Sequence, residues 1–313
     1  MPSDPPVTIA TLPLSPRSMI RQPIWFDSCM FRVPAESNVG KGRGSGMTQH
    51  DEGAIADDSR RAGLVPRYFL DESAQVEDDT IVISGGKANR LKRVMRIRRD
   101  DPLELVHPPS DRLYRAVVQR VTRDEVICSV VECRPRRVLP PPRIVLSASL
   151  IRPQRYDFMI EKATELGVDE IRPVWSQRAL IKGDATQRLH RWRRLATEAA
   201  EQCRREYRPT IYPPIQVAEL IQEEPLPHAL RLLASALEPD QRIAPILQQR
   251  RNRGQPPPDL VHLLVGPEGG YTPEEAALAR EHGWLPISLG NRPLRAETAA
   301  IVAVALTQEA ARP

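Results

Sequence analysis

Apolar residues recur along this chain in two rhythms. From Leu64 to about Glu132 they alternate with polar ones in short runs, Thr80–Ser84, Leu103–His107, Arg112–Gln119 and Glu125–Val131, the spacing of strands with one buried face. A basic helix is predicted between the first two, over Lys87–Met95. From Ile144 onward the apolar runs are continuous, at Ile144–Leu150, Glu170–Val174, Leu230–Ser235 and Val261–Val265, with a shorter strand near Thr210–Tyr212. They alternate with helical periodicities over Arg155–Leu166 and Thr186–Arg205, the latter carrying an inward stripe of Leu189, Trp192, Leu195, Ala196, Ala199 and Cys203. Continuous runs suit strands covered on both faces, and strand–helix alternation predicts a mainly parallel, doubly wound sheet.

The two rhythms meet at the Pro-rich segment Arg134–Arg143, a semi-rigid connector. Ahead of both, residues 1–62 are rich in Pro, Ser, Gly and Asp and lack periodicity. Arg17, Arg21, Arg32, Lys41 and Arg43 hint at a targeting segment, whereas Asp4, Asp27 and Glu36 argue against one, so a disordered tail or a mis-called start with Met47 as an internal alternative is expected. The predicted division is an extension (1–62), a small β domain (63–135), a linker (136–143) and an α/β domain (144–313).

Two strand-to-loop units near the C-terminus stand apart. Val261–Val265 runs into Gly266-Pro267-Glu268-Gly269-Gly270, and a glycine-bearing turn directly after a buried strand admits a ligand close to the backbone. The next helix is signposted by Thr272 as N-cap, Pro273 at the first position, Glu275 to close a capping box and Gly283 as the stop. A second apolar run, Trp284–Leu289, enters Gly290-Asn291-Arg292-Pro293-Leu294-Arg295, and Ala296-Glu297-Thr298 opens a last helix. Ligands of open α/β sheets bind at the carboxyl ends of strands, where both loops belong. The first loop by itself is also an ordinary tight turn, and it matches neither a P-loop nor a dinucleotide fingerprint.

Composition narrows the field. The net charge of +5 over 313 residues is compatible with a polyanionic partner and equally with a protein holding its charge off zero. The four cysteines have no metal-binding spacing and read as reduced thiols of a cytoplasmic protein. No apolar run approaches the about eighteen residues that span a bilayer.

The segments LLVGPEGGYTPEE and SLGNRPLRAETAA resemble the two C-terminal motifs of the RsmE family, the 16S ribosomal RNA (uracil(1498)-N(3))-methyltransferases of the SPOUT superfamily. A third stretch, Arg155 to Val168 followed by Ile171, Pro173, Ser176 and Arg178, is similar to a motif of the same family, in the same order. The family's Glu-Gln-Cys/Ser-Gly-Arg tract reads Glu201-Gln202-Cys203-Arg204-Arg205 here, with Arg204 in place of glycine.

The resemblance implies a SPOUT-type, trefoil-knotted, mainly parallel sheet preceded by a PUA-like β-barrel, a homodimer, and S-adenosyl-L-methionine held against the knotted loops. Its substrate would be 16S rRNA or the small ribosomal subunit. Cofactor contacts are then expected from Leu264, Gly266, Pro267, Glu268, Gly269, Gly270, Leu289, Gly290, Leu294, Glu297 and Thr298. Deprotonating uracil N3 calls for a base or a cation that favours the anion, and Arg295 is the candidate catalytic residue; a structural salt bridge from Arg295 to Glu297 or Glu268 is the competing role. RNA contacts are expected from Arg67, Lys87, Arg90, Lys92, Arg93 and Arg96 in the first domain and from Arg155, Lys162 and Arg178 in the second. Arg188, Arg191, Arg194, Arg204, Arg205 and Arg208 form either a solvated face or a further RNA contact. The chemistry requires no metal. Ribose 2′-O methylation and a non-catalytic role in ribosome assembly are the alternative functions.

Overall fold

The computed structural model describes residues 65–77, 79–179, 186–235 and 241–311, so the expectations for residues 1–62 lie outside the described residues. The alternating runs form a six-stranded sheet from β1 (Arg67–Phe69), β2 (Gln75–Val76), β3 (Thr80–Ser84), β4 (Pro102–His107), β5 (Arg112–Val121) and β6 (Glu125–Pro135). Its order is β1-β4-β5-β6-β3-β2, with β1 parallel to β4 and every other pair antiparallel. The basic helix α1 (Gly85–Arg93) buries Ala88 and Leu91 in a core with Ile81, Ile83, Leu103 and Leu105. That helix starts two residues before the predicted Lys87 because Ser84 leaves β3 in an extended conformation directly into it.

The continuous runs form a second sheet of β7 (Arg143–Ser149), β8 (Glu170–Trp175), β9 (Thr210–Ile211), β10 (Ile215–Gln216), β11 (Ala229–Ala234), β12 (Leu260–Val265) and β13 (Leu285–Ile287). All its pairs are parallel, in the order β10-β8-β7-β12-β11-β13 with β9 on β8. On one face lie α2 (Pro153–Glu165), α3 (Thr186–Gln202), α5 (Ile243–Asn252) and α7 (Ala296–Ala311), sharing a core with Leu146, Leu232, Leu263 and Val265. The other face is covered by α4 (Val217–Gln222) and α6 (Pro273–Glu281), packed on Val174, Leu233, Leu264 and Trp284. Helices α4 and α5 were not predicted: α4 spans six residues, too few for a periodic stripe, and Pro245 falls in the first turn of α5, where a proline is tolerated but reads as a breaker.

Helix ends follow local chemistry. The capping box of Thr272 and Glu275 is formed, and Trp284 N donates to the Ala279 carbonyl at 3.0 Å past Gly283 to close α6. Helix α3 closes likewise, with Arg205 N on the Ala200 carbonyl at 2.9 Å and Arg204 N on the Glu201 carbonyl at 3.2 Å. In this 6→1, 5→2 closure the residue after the C-cap takes a left-handed backbone, here Arg204 at φ 60°, the position where the family pattern has glycine. A side chain there costs about 1 kcal/mol, offset by the Arg204 Nη2 contact with Glu104 Oε2 at 3.0 Å.

At the centre of the second sheet His262 is 8% exposed and its Nε2 lies 2.8 Å from Ser147 Oγ. Burial, and then the charges of Arg172 and Arg231, push its imidazole down to about 3. The unfolded chain therefore takes up a proton below the ordinary histidine value of about 6.5 that the folded chain refuses, so stability falls as pH drops from about 6.5 toward 3. The expected slope from this residue is up to about 1.4 kcal/mol per pH unit. Urea titrations at several pH values should show a steeper acid loss for the wild type than for His262→Gln; equal slopes would remove His262 as the cause.

Candidate functional site

The loop after β12 and the loop after β13 close on one cavity of about 400 Å³. Gly266, Pro267, Glu268 and Gly270 line one side and Leu289, Gly290 and Leu294 the other. Because β11 lies between β12 and β13, its end contributes Ala234 and Ser235 to the floor. The cavity thus sits on the carboxyl ends of three adjacent parallel strands, as the open-sheet rule requires. Gly266 sits tightly packed: a Cβ would lie 3.3 Å from the Tyr271 ring and its backbone N, so Tyr271 would have to give by a few tenths of an ångström. Gly270 turns the loop with φ +66°.

One cofactor candidate is corrected by strand geometry. Leu264 is fully buried on the opposite face of the sheet among Val174, Val217 and Trp284, and Val265, one residue on, faces the cavity instead. Gly269, Glu297 and Thr298 flank the cavity without lining it, the Gly269 carbonyl accepting from Arg178 Nη1 at 2.8 Å. Ser235, Ser288, Asn291 and Arg292 line it and were not predicted; the last two lie within the second loop, so only their orientation was hidden.

The two motif carboxylates are held by a residue from a third element. Arg155, on the first turn of α2, places Nη1 3.2 Å from Glu268 Oε1 and Nε 3.8 Å from Glu297 Oε1. Glu297 is buried, and its Oε2 has no hydrogen-bond partner. The competing role considered for Arg295 is thereby occupied by Arg155. Arg295 stands just ahead of α7, its carbonyl accepting from Ala299 N at 2.8 Å, while its exposed side chain has no ion pair or hydrogen bond among the described residues.

A family model described as an RNA methyltransferase domain matches residues 139–308. Ribosomal RNA small subunit methyltransferase E of Synechocystis sp. is 30% identical over 233 residues, 74% of this chain and 73% of that protein. This chain belongs to the ribosomal RNA small subunit methyltransferase E family. The Aquifex aeolicus methyltransferase E is 29% identical over 242 residues, 75% of this chain and 96% of the relative. The crystal structure of methyltransferase E from Neisseria gonorrhoeae, bound to S-adenosyl methionine, aligns with a TM-score of 0.68 at 28% identity, covering 79% of this chain and 98% of that one.

In this methyltransferase E chain most of the expected RNA-binding cations are engaged with the protein itself. Arg67 is buried, donating to Glu104 Oε2 at 2.7 Å and to the Arg204 carbonyl. Burial by itself would raise the Glu104 carboxyl, but hydrogen bonds from Arg204 and Arg67 and their charges hold it below the ordinary carboxylate range. Lys87 pairs with Glu201, and Arg90 lies 3.1 Å from the same carboxylate. These three cations tie the first sheet to α3 through carboxylates and a carbonyl of the protein itself. Arg155 holds the cavity loops, Arg178 braces Gly269, Lys162 pairs with Glu161 and Glu165 at 2.7 and 2.8 Å, and Lys92 caps the carbonyls of Thr122 and Arg123. Arg93 and Arg96 are exposed. In α3, Arg205 caps the carbonyls of Thr164 and Val168 at 2.9 and 2.6 Å and faces Asp169, so it is a structural cation. Spacing along one helix had carried no information about carboxylates that lie, for Lys87 and Glu201, 114 residues away.

Among the described residues no helix is long and apolar enough to cross a membrane.

Proposed function

We propose that this chain transfers a methyl group from S-adenosylmethionine to N3 of one uridine of 16S ribosomal RNA, uracil 1498 by family resemblance, in the cytoplasm. The observation that carries the reading is that both glycine loops close on a single cavity at the strand ends, in a chain of the methyltransferase E family. The fit to the cofactor is chemical: apolar Val265, Leu289 and Leu294 offer surface to an adenine ring, and the loop backbone at Gly266, Gly270 and Gly290 offers amide and carbonyl groups at close range.

When bound, S-adenosylmethionine supplies a methyl carbon on a positive sulfonium. The chain's own task is to align the acceptor and exclude water. Arg295, exposed beside the cavity wall residue Leu294 and lacking a carboxylate partner among the described residues, is the cation that favours the anionic uracil over its N3-protonated form. The first sheet with α1 acts as the PUA-like RNA-binding domain, Arg93 and Arg96 being its exposed cations among those expected. A trefoil knot and a homodimer belong to the same proposal; packing of α7 back against α2, α5, β7 and β12 supports a C-terminus that returns through the centre of its domain.

Purified small subunits lacking the modification, incubated with the protein and labelled cofactor, should yield 3-methyluridine on nucleoside mass analysis. A ribose 2′-O-methyl product would replace the base-methylation reading, and absence of cofactor binding by calorimetry would replace catalysis with an assembly role.

A further inference from the structure

Beyond the exposed Arg93, Arg96 and Arg295, positive charge also gathers at one place in the α/β domain. A groove of about 520 Å³ runs between α5 and the edge strand β13. Arg242, Arg250 and Arg253 line it together with Gln241, Gln249 and Gln255, and no carboxylate lines it among the described residues. None of the three guanidiniums has an ion pair or hydrogen bond among the described residues, and the Nε of Arg250 is buried without a partner. An unpaired buried guanidinium N–H costs free energy unless a ligand satisfies it. The arginine-rich cleft between the two sheets also holds a buried Nε without a partner, that of Arg204, but there Arg67, Arg134 and Arg204 each pair with Glu104 or Glu206.

The groove also adjoins the cofactor cavity. Ser288, which lines the cavity, donates its backbone N–H at 2.6 Å to the carbonyl of Gln241, which lines the groove. Arg292, exposed and free of ion pairs among the described residues, stands on the cavity side of that junction. Guanidiniums recognise phosphate oxygens with two parallel N–H donors, and glutamine amides can both donate to phosphate and accept from a hydroxyl. Cations without acids among the described residues, amides between them and a contact with the cofactor cavity through Gln241 and Ser288 together describe a track for a phosphodiester chain.

We propose that the groove between α5 and β13 binds the phosphodiester backbone of the RNA strand whose target nucleotide enters the cofactor cavity, with Arg242, Arg250 and Arg253 on successive phosphate contacts. This rests on the functional reading above. It assigns the sequence-independent share of RNA affinity to the α/β domain, whereas the sequence places most of the expected cations in the first domain.

The test uses the full chain and the triple variant Arg242→Gln, Arg250→Gln, Arg253→Gln, with a fluorescently labelled single-stranded oligoribonucleotide carrying the target uridine. Three lost phosphate contacts should lower the slope of log affinity against log salt by about 2 and weaken binding at moderate salt by about tenfold or more. Affinity for S-adenosylmethionine should stay within about twofold, which shows that the domain is folded. An unchanged salt slope overturns the proposal. Inorganic phosphate is the second arm: if it binds the wild type through these arginines yet does not compete with the oligoribonucleotide, the groove is a free-phosphate site and the RNA assignment falls. Failure of the wild type to methylate any RNA would instead sink the functional reading, and the salt slope would still decide the groove.

Discussion

Glu201→Ala is expected to lower the free energy of unfolding by about 3 kcal/mol or more. Its carboxylate is 4% exposed and joins two parts of the fold: Oε1 accepts the Phe69 backbone N–H at 3.1 Å and the Lys87 ammonium, and Oε2 has Arg90 Nη1 at 3.1 Å. Beside it Ala200 packs against Phe69, Val106 and Leu113, so α3 is the seam between the two sheets. Truncation leaves a lysine side chain that is 11% exposed without its counter-charge, together with a backbone donor that has lost its acceptor. Breaking a buried pair from one side is costlier than the pair's net contribution, which is why the expected loss exceeds that of a surface salt bridge. Urea unfolding should show a lower midpoint at unchanged m-value. Glu201→Gln, which keeps an acceptor for Phe69 but removes the charge, should fall between the two; a loss under about 1 kcal/mol for Glu201→Ala would mean the seam is held by apolar packing.

Under the role proposed for Arg295, Arg295→Ala should reduce methylation at least about tenfold, roughly 1.4 kcal/mol of transition-state stabilisation, with cofactor affinity retained. Arg295 sits at the N-terminal edge of α7, where the helix dipole disfavours a cation and where Ser, Thr, Asp or Asn would cap better. A local rule broken with no compensating partner among the described residues is what the proposed catalytic role would account for. Arg155→Ala should behave differently. Its contacts go to Glu268 and Glu297, so its loss loosens the walls of the cofactor cavity and should weaken S-adenosylmethionine binding about fivefold, close to 1 kcal/mol, the upper end for a partly exposed pair. Arg155→Lys should restore only part of this, because one ammonium cannot reproduce the two directed contacts of a guanidinium fork. Calorimetry with the cofactor, and initial rates on small subunits, separate the two roles. Normal turnover by Arg295→Ala would reject its assignment, and unchanged cofactor affinity in Arg155→Ala would reject the bracing of the loops.

The amino-acid sequence by itself determined the longer strands and helices, though not α4 or α5, and the two loops, because those depend on neighbours a few residues apart. The run Val261–Val265 is apolar whatever surrounds it, and Thr272, Pro273 and Glu275 cap a helix through bonds within a single turn. The three motif stretches were legible for the same reason, since each is contiguous. Tertiary structure alone decided which side chains those elements leave available. Leu264 and Val265 are equally apolar on paper, and only the packing of α4 and α6 on one face gives the cavity to Val265. Insertion of β11 between β12 and β13 brings Ala234 and Ser235 to the cavity, and no local pattern encodes that strand order. The same holds for charge. A cluster of Lys and Arg along a helix looks alike whether it faces water, RNA or a carboxylate more than 100 residues away; Lys87 and Arg155 found such carboxylates, and Arg242, Arg250 and Arg253 have none among the described residues. Coulomb energy depends on distance in space, and the chain alone specifies distance only along itself.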